Sequence, residues 1–268
     1  MASLSVAPLE SQEPPIAPGH VRWGAIDLVL VPDSCYGIWL LAAPNFAFQD
    51  RSERSRMIRF PVEPVTLLQW AGTARALAHA PVSVESSDEP RFRTTPRLQN
   101  RADGRFILLA KSTKLAPADQ RLQLVAVDSV NDTRWKTFAS TEDVDRLASV
   151  IEELVPHLPP RRPPTDSTLV DDDRGPGLEP VAVLKIPSPR YPPELWRKHR
   201  TGRVWTQYVV GTDGRMEQGS FRAVLTDDPQ FAEAALRALE GATYRPARVR
   251  GVAIRQRVFQ VISFRLSP

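Results

Sequence analysis

The segment "TYRPARVRGVAIRQRVFQVISF", residues 243–264, decides how the C-terminal part of this chain folds. From Val252 onward its residues alternate. Ile254, Val258, Ile262 and Phe264 fall on one face, and Arg255, Arg257 and Arg265 fall on the other. A period of two is the signature of a half-buried strand. Tyr244 and Pro246 pin the chain ahead of the strand, and Arg250-Gly251 turns it. The strand carries no constellation of catalytic residue types, so its surface is the functional candidate.

The residues before it build a small α+β domain, an antiparallel sheet with two helices, over residues 185–268. Asp227 or Asp228 is placed to cap a helix that has Pro229 in its first turn and Gly241 beyond its end. Phe231, Ala235, Ala238 and Leu239 make its apolar stripe. Further upstream, "RVWTQYVVGTDGRMEQGSFRAV" reads as a hairpin in which Asp213-Gly214 supplies the positive φ. Tyr191-Pro192-Pro193 opens a short helix, "PELWRKHR", which Gly202 closes.

In this order the motifs resemble the C-terminal domain of TonB, the bacterial energy transducer. The matching elements are Tyr191-Pro192, Gly202-Arg203-Val204, Asp213-Gly214, the helix Phe231–Leu239, Tyr244-Arg245-Pro246-Ala247 and the closing strand Val252–Phe264. The resemblance covers residues 185–266, about a third of the chain. It departs from the family at Ala242, where a Trp is usual, at Arg200, where an apolar residue is common, and at Pro193-Glu194.

The resemblance implies a non-enzymatic envelope protein linked to transmembrane transport. It also implies a sheet edge that takes up a short peptide segment of an outer-membrane receptor. Such strand addition works through unpaired backbone N–H and C=O groups. If the closing strand is that edge, as in the family, Arg257, Phe259 and Val261 contact the partner strand. Arg255 and Arg257 then guard the edge and favour an acidic partner. Ser188, Pro189 and Arg190, just before Tyr191, match the stretch that runs alongside the bound peptide in relatives. Two other readings remain open: the strand only completes the sheet, or two copies pair through their edges as a homodimer.

Residues 1–20 are rich in Pro and Ser and are expected to be disordered. Residues 21–158 read as a second α+β domain. Strand-like runs "VRWGAIDLVLV", "CYGIWLLAAP" and "RMIRFPV" precede a helix, "VTLLQWAGTARALAHA". "GRFILLAKST", "QRLQLVAVDS" and "TRWKTFA" precede another, "STEDVDRLASVIEELVPHL", with Ser140 and Asp143 set as a capping box. Aligning Val65, Leu68 and Ala71 with Val144, Leu147 and Val150 gives an offset of 79. This predicts a βββα duplication, one sheet with two helices on a face, its core holding Trp23, Trp39, Trp70 and Trp135. Nothing in it identifies a function. Residues 159–184 read as a Pro-rich linker, since 11 prolines fall between Pro156 and Pro193. Asp171-Asp172-Asp173 reads as part of that solvated linker, with no His or Cys nearby to complete a metal cage.

The net charge is +4, but from Lys185 onward there are 15 Lys/Arg against 7 Asp/Glu. A cytoplasmic basic interaction or nucleic-acid-binding module is the alternative function, with Trp205, Tyr208 and Phe259 as stacking faces. The arginines are interspersed with the strand and helix patterns, which disfavours nucleic acid. His20, His79, His157 and His199 are scattered without metal-ligand spacing, so no catalytic residue, metal or cofactor is expected. The lone Cys35 shows no role. No run reaches the ~20 apolar residues of a membrane span, and the N-terminus lacks the pattern of a signal peptide. The expectation is an envelope adaptor, periplasmic by resemblance, with the cytoplasm as the alternative.

Overall fold

The computed structural model describes residues 18–33, 35–45, 56–82, 92–95, 97–100, 104–113, 121–129, 131–160, 169–171 and 177–266. The expectation for residues 1–20 falls almost entirely outside them. Strands β1 (Gly19–Trp23), β2 (Ile26–Asp33), β3 (Gly37–Pro44) and β4 (Ile58–Val62) form a four-stranded antiparallel sheet in sequence order. Helix α1 (Pro64–His79) follows. The run expected as one strand from Val21 is two, because Gly24, at φ 54°, turns the chain between β1 and β2.

A second sheet repeats the plan. It holds β5 (Phe92–Thr94), β6 (Leu98–Asn100), β7 (Arg105–Ser112), β8 (Leu122–Asp128) and β9 (Thr133–Ala139). Its order is β5-β7-β8-β9, with β6 also on β7, and α2 (Thr141–Leu154) follows. The duplication therefore gives two sheets rather than one.

The helices also fix its register. Leu67, Trp70, Ala71 and Ala74 are buried on α1, and Val144, Leu147, Ala148 and Ile151 on α2. Those pairs lie 77 residues apart, the separation also of Arg75 and Glu152, which join the two helices. The offset of 79 was two residues out; Val65, which it placed on the buried stripe, is 65% exposed. Both sheets and both helices share one core, with Trp23, Trp70 and Trp135 in it. The capping box forms as expected: the Asp143 N–H donates to Ser140 Oγ at 3.0 Å, and the Ser140 N–H to Asp143 Oδ2 at 2.9 Å.

The chain then enters the second sheet system through β10 (Leu169–Val170), β11 (Leu178–Glu179) and β12 (Ala182–Lys185). Within the stretch expected as linker, Leu169–Val170, Leu178–Glu179 and the residues from Ala182 are thus hydrogen-bonded strand. Next come α3 (Pro193–Arg197), β13 (Gly202–Val210), β14 (Arg222–Thr226), α4 (Pro229–Glu240), β15 (Thr243–Arg245), β16 (Ala247–Val249) and β17 (Val252–Phe264). The order in the six-stranded sheet is β11-β16-β17-β13-β14, with β10 also on β17, while β12 pairs with β15. Asp228 caps α4 through its Oδ1, which accepts the Gln230 N–H at 2.9 Å. Helix α3 ends earlier than expected, at Arg197, and His199 just beyond it lies in the left-handed region (φ 50°). Gly202 instead opens β13, where a Cβ would lie 2.4 Å from the Phe231 ring.

Candidate functional site: the edge of β17

Strand β17 packs against a core on both faces, and its residues after Val252 are buried or half-buried. Val258, Ile262 and Phe264 pack into the domain's own core with Phe231, Tyr208 and Leu239. Phe259 and Val261, on the opposite face, enter a third core with Val29, Val31, Trp39, Leu41 and Ala43 of β2 and β3. The Phe259 and Trp39 rings are 5.3 Å apart. The expectation of a half-buried strand therefore holds for only one end. The face that reads as arginine-lined is covered by the N-terminal sheet, because two sheets with apolar faces gain most by packing on each other.

That packing redirects the arginines. Arg255 reaches back to Glu217, Nε to Oε1 and Nη2 to Oε2, both at 2.6 Å. Arg257 is 16% exposed and bridges two carboxylates, Asp33 Oδ2 at 2.8 Å and Asp171 Oδ1 at 2.9 Å. These two side chains are thus engaged in the fold instead of standing outward over the edge. Burial pushes the Asp171 carboxyl up against the pull of Arg257. Burial and the neighbouring Asp171, to which the phenol is hydrogen-bonded, push Tyr36 up to about 12. The Arg59 guanidinium lies over the Phe259 ring at 5.2 Å.

The backbone edge is a separate matter from the side chains. β13 pairs with β17 from Gln256 to Phe264. β16 pairs with Val252–Ile254, and β10 with Arg255 and Gln256. Among the described residues nothing pairs with Arg257–Phe264 on the side away from β13. A cleft of about 240 Å³ opens there, lined by Val258, Phe259 and Gln260 together with Met57, Arg59 and Val181. Consecutive residues of both faces line it, which places it at the strand's edge.

Of the residues singled out upstream, Tyr191 reaches the end of this strand. Its ring stands edge-on to Phe231 and Phe264, at 5.7 and 5.8 Å, and its hydroxyl donates to the Arg200 carbonyl. Ser188 and Arg190 are exposed, and Pro189 is half-buried. The structure therefore brings Tyr191 to the far end of β17, while Arg255 and Arg257 sit at its beginning. Sequence reasoning missed Asp33 and Tyr36, which are local to no motif, and read Asp171 as solvated linker, whereas it is 6% exposed and paired with Arg257. Leu169-Val170, two β-branched or branched apolar residues in a Pro-rich run, were the one available hint of β10.

Several other C-terminal arginines are also committed. Arg203 pairs with Asp27, Arg215 donates to the Ala242 carbonyl and Arg248 to the Gly251 carbonyl. Among the described residues no group of three or more His, Cys, Asp or Glu is placed to hold a metal. No described helix is long and apolar enough to cross a membrane. His79 pairs with Asp145 of α2 at 3.0 Å, and His157 Nδ1 lies 2.8 Å from the Glu153 carbonyl oxygen.

Residues 187–266 match the family model described as the Gram-negative bacterial TonB protein C-terminal. Among solved structures, the Pseudomonas aeruginosa TonB C-terminal domain in solution is 21% identical, over 33% of this chain and 88% of that one, with a TM-score of 0.27. The plant transcriptional regulator PBF-2 is 12% identical over 55% of this chain and 92% of that one, with a TM-score of 0.30. No curated protein is similar to the chain at a significant level.

Proposed function

Residues 187–266 being a TonB-type C-terminal domain, we propose that the protein works in the Gram-negative envelope, in TonB-linked transport, and takes up a peptide segment of an outer-membrane receptor as an added strand on β17. One observation carries this reading: the edge Arg257–Phe264 is paired on one side only among the described residues, and a cleft opens beside it at Val258–Gln260. An extended segment laid there completes the backbone hydrogen bonds that the edge leaves open. Specificity comes from the cleft walls, because Phe259 and Val261 face the N-terminal sheet and offer a partner their backbone rather than their side chains. The reading is one of binding; no chemistry is assigned to the site.

The engagement of Arg203, Arg215, Arg248, Arg255 and Arg257 within the fold gives no support to a phosphate-binding face. The test is amide hydrogen exchange on the full chain. Short synthetic segments of the bacterium's outer-membrane receptors serve as probes. A bound segment slows exchange of the Arg257–Phe264 amides that point away from β13. Protection elsewhere, or none with any segment, refutes strand addition at this edge. Protease accessibility after selective permeabilisation of the outer membrane tests the location independently.

A further inference from the structure

The short strand β10 shows what the start of this edge accepts. It runs parallel to β17, with Leu169 opposite Arg255 and Val170 opposite Gln256. Gln256 is paired at the same time with Val210 of β13, so β10 lies on the side away from β13, the side assigned above to a partner, just before the residues Arg257–Phe264. The Gln256 side chain holds the connection between β11 and β12: its Oε1 accepts the Val181 N–H at 2.7 Å. The residue after β10 is Asp171, 6% exposed, whose carboxylate meets Arg257 and the Tyr36 hydroxyl. Two bridged residues are a short strand, well under the usual 5–6. The charge contact with Arg257 therefore does much of the holding.

Three parts stand together here: an edge position for each of two apolar residues, then a guanidinium and a phenol that converge on a carboxylate. A cation half enclosed by protein selects an acidic group more sharply than an exposed one. Gln256, opposite Val170, also lines the cleft, and from Arg257 onward the edge is unpaired on this side among the described residues. We propose that Arg255–Arg257 and Tyr36 form a binding site for an extended segment of two apolar residues followed by an acidic one. The chain's own Leu169–Asp171 fills it at rest, and the partner strand carries the same pattern and displaces it. This rests on the function proposed above and adds the partner's chemistry and direction, parallel to β17.

The probe is a labelled synthetic peptide of the linker's own sequence, STLVDDD (residues 167–173), titrated against the full chain. Two variants loosen the internal strand. Val170→Pro removes a backbone donor and the freedom to pair. Asp171→Asn keeps the backbone pairing and removes the charge that Arg257 holds. Both variants are expected to bind the peptide at least about tenfold more tightly than the unaltered chain, in which the internal strand competes. Replacing the peptide's first Asp by Asn is expected to weaken binding to either variant about tenfold, the value of one hydrogen bond to a charged group. If both variants melt as the unaltered chain does and neither binds better, internal occupancy of the edge is wrong. If the Asp and Asn peptides bind alike, the acidic preference is wrong. A receptor segment that protects Arg257–Phe264 while the linker peptide fails would sink this inference alone. Failure of both would sink the proposed function as well.

Discussion

Arg203 on β13 and Asp27 on β2 form an ion pair across the seam between the two halves of the chain, their side chains 3% and 0% exposed. Asp27 also takes Arg22 Nε at 3.2 Å, and Arg203 donates to the Pro44 carbonyl at 3.0 Å. Burial lowers the Arg203 guanidinium to about 10. The pair is therefore costly to bury and costlier to break. Removing one partner leaves the other's buried charge without its closest counter-ion, at about 3–5 kcal/mol. Arg203→Ala and Asp27→Ala are each expected to lose that much in urea unfolding of the full chain. The joint replacement Arg203→Met with Asp27→Leu is expected to recover most of it. Single losses below about 1 kcal/mol would mean that water reaches the pair.

The same seam makes the two halves unfold together. Trp39 and Phe259 share a core to which both halves contribute, and neither half can separate without exposing it. Calorimetry of the full chain is expected to show one transition. Phe259→Ala, which empties the centre of that core, is expected to cost about 3–5 kcal/mol. Two resolved transitions in the unaltered chain would show that the halves are only loosely docked.

Two glycines should respond to alanine with opposite signs. Gly214 has φ 74°, and a Cβ there would lie 2.2 Å from the Tyr244 carbonyl oxygen. Left-handed strain and overpacking each contribute about 1–3 kcal/mol, so Gly214→Ala is expected to cost about 2–6 kcal/mol. Gly72 lies within α1 with nothing within 4 Å of a Cβ. Gly72→Ala is expected to stabilise by about 0.5–1 kcal/mol, through helix propensity and a less flexible unfolded chain. Equal shifts in melting temperature for the two substitutions would contradict this reading of the β13–β14 turn.

What the sequence discloses here is what short-range physics decides. The Asp213-Gly214 turn, the Ser140–Asp143 capping box and the Asp228 cap are each settled within a few residues, and each stands where it is expected. The order of motifs from Tyr191 to Phe264 is legible for the same reason. The burial of the second face of β17 is not, because it depends on a sheet some 220 residues away in the chain: Arg257 and Asp33 are 224 apart. Phe259 and Val261 were the clue, two apolar residues on a face otherwise marked by arginine. The helix register failed by two residues, since on α1 apolar residues occur on more than one side, Val65 among them. β10 is too short for a period to show.

His20 gives the seam a pH dependence. It sits on β1, 3.6 Å from Asp27 and close to Arg22 and Arg203. Burial, then the two arginines, hold its pKa below 6.5. The folded state therefore binds a proton less readily than the unfolded one. Between 6.5 and the lowered value the unfolded chain carries more protons, so stability rises with pH there and falls on acidification. The slope from one such group is at most about 1.4 kcal/mol per pH unit. Urea midpoints for the full chain are expected to drop from pH 7 to pH 5, and His20→Gln is expected to reduce that drop. A variant that instead loses more stability on acidification than the unaltered chain would show that Asp27 outweighs burial and the arginines, so that protonated His20 stabilises the seam.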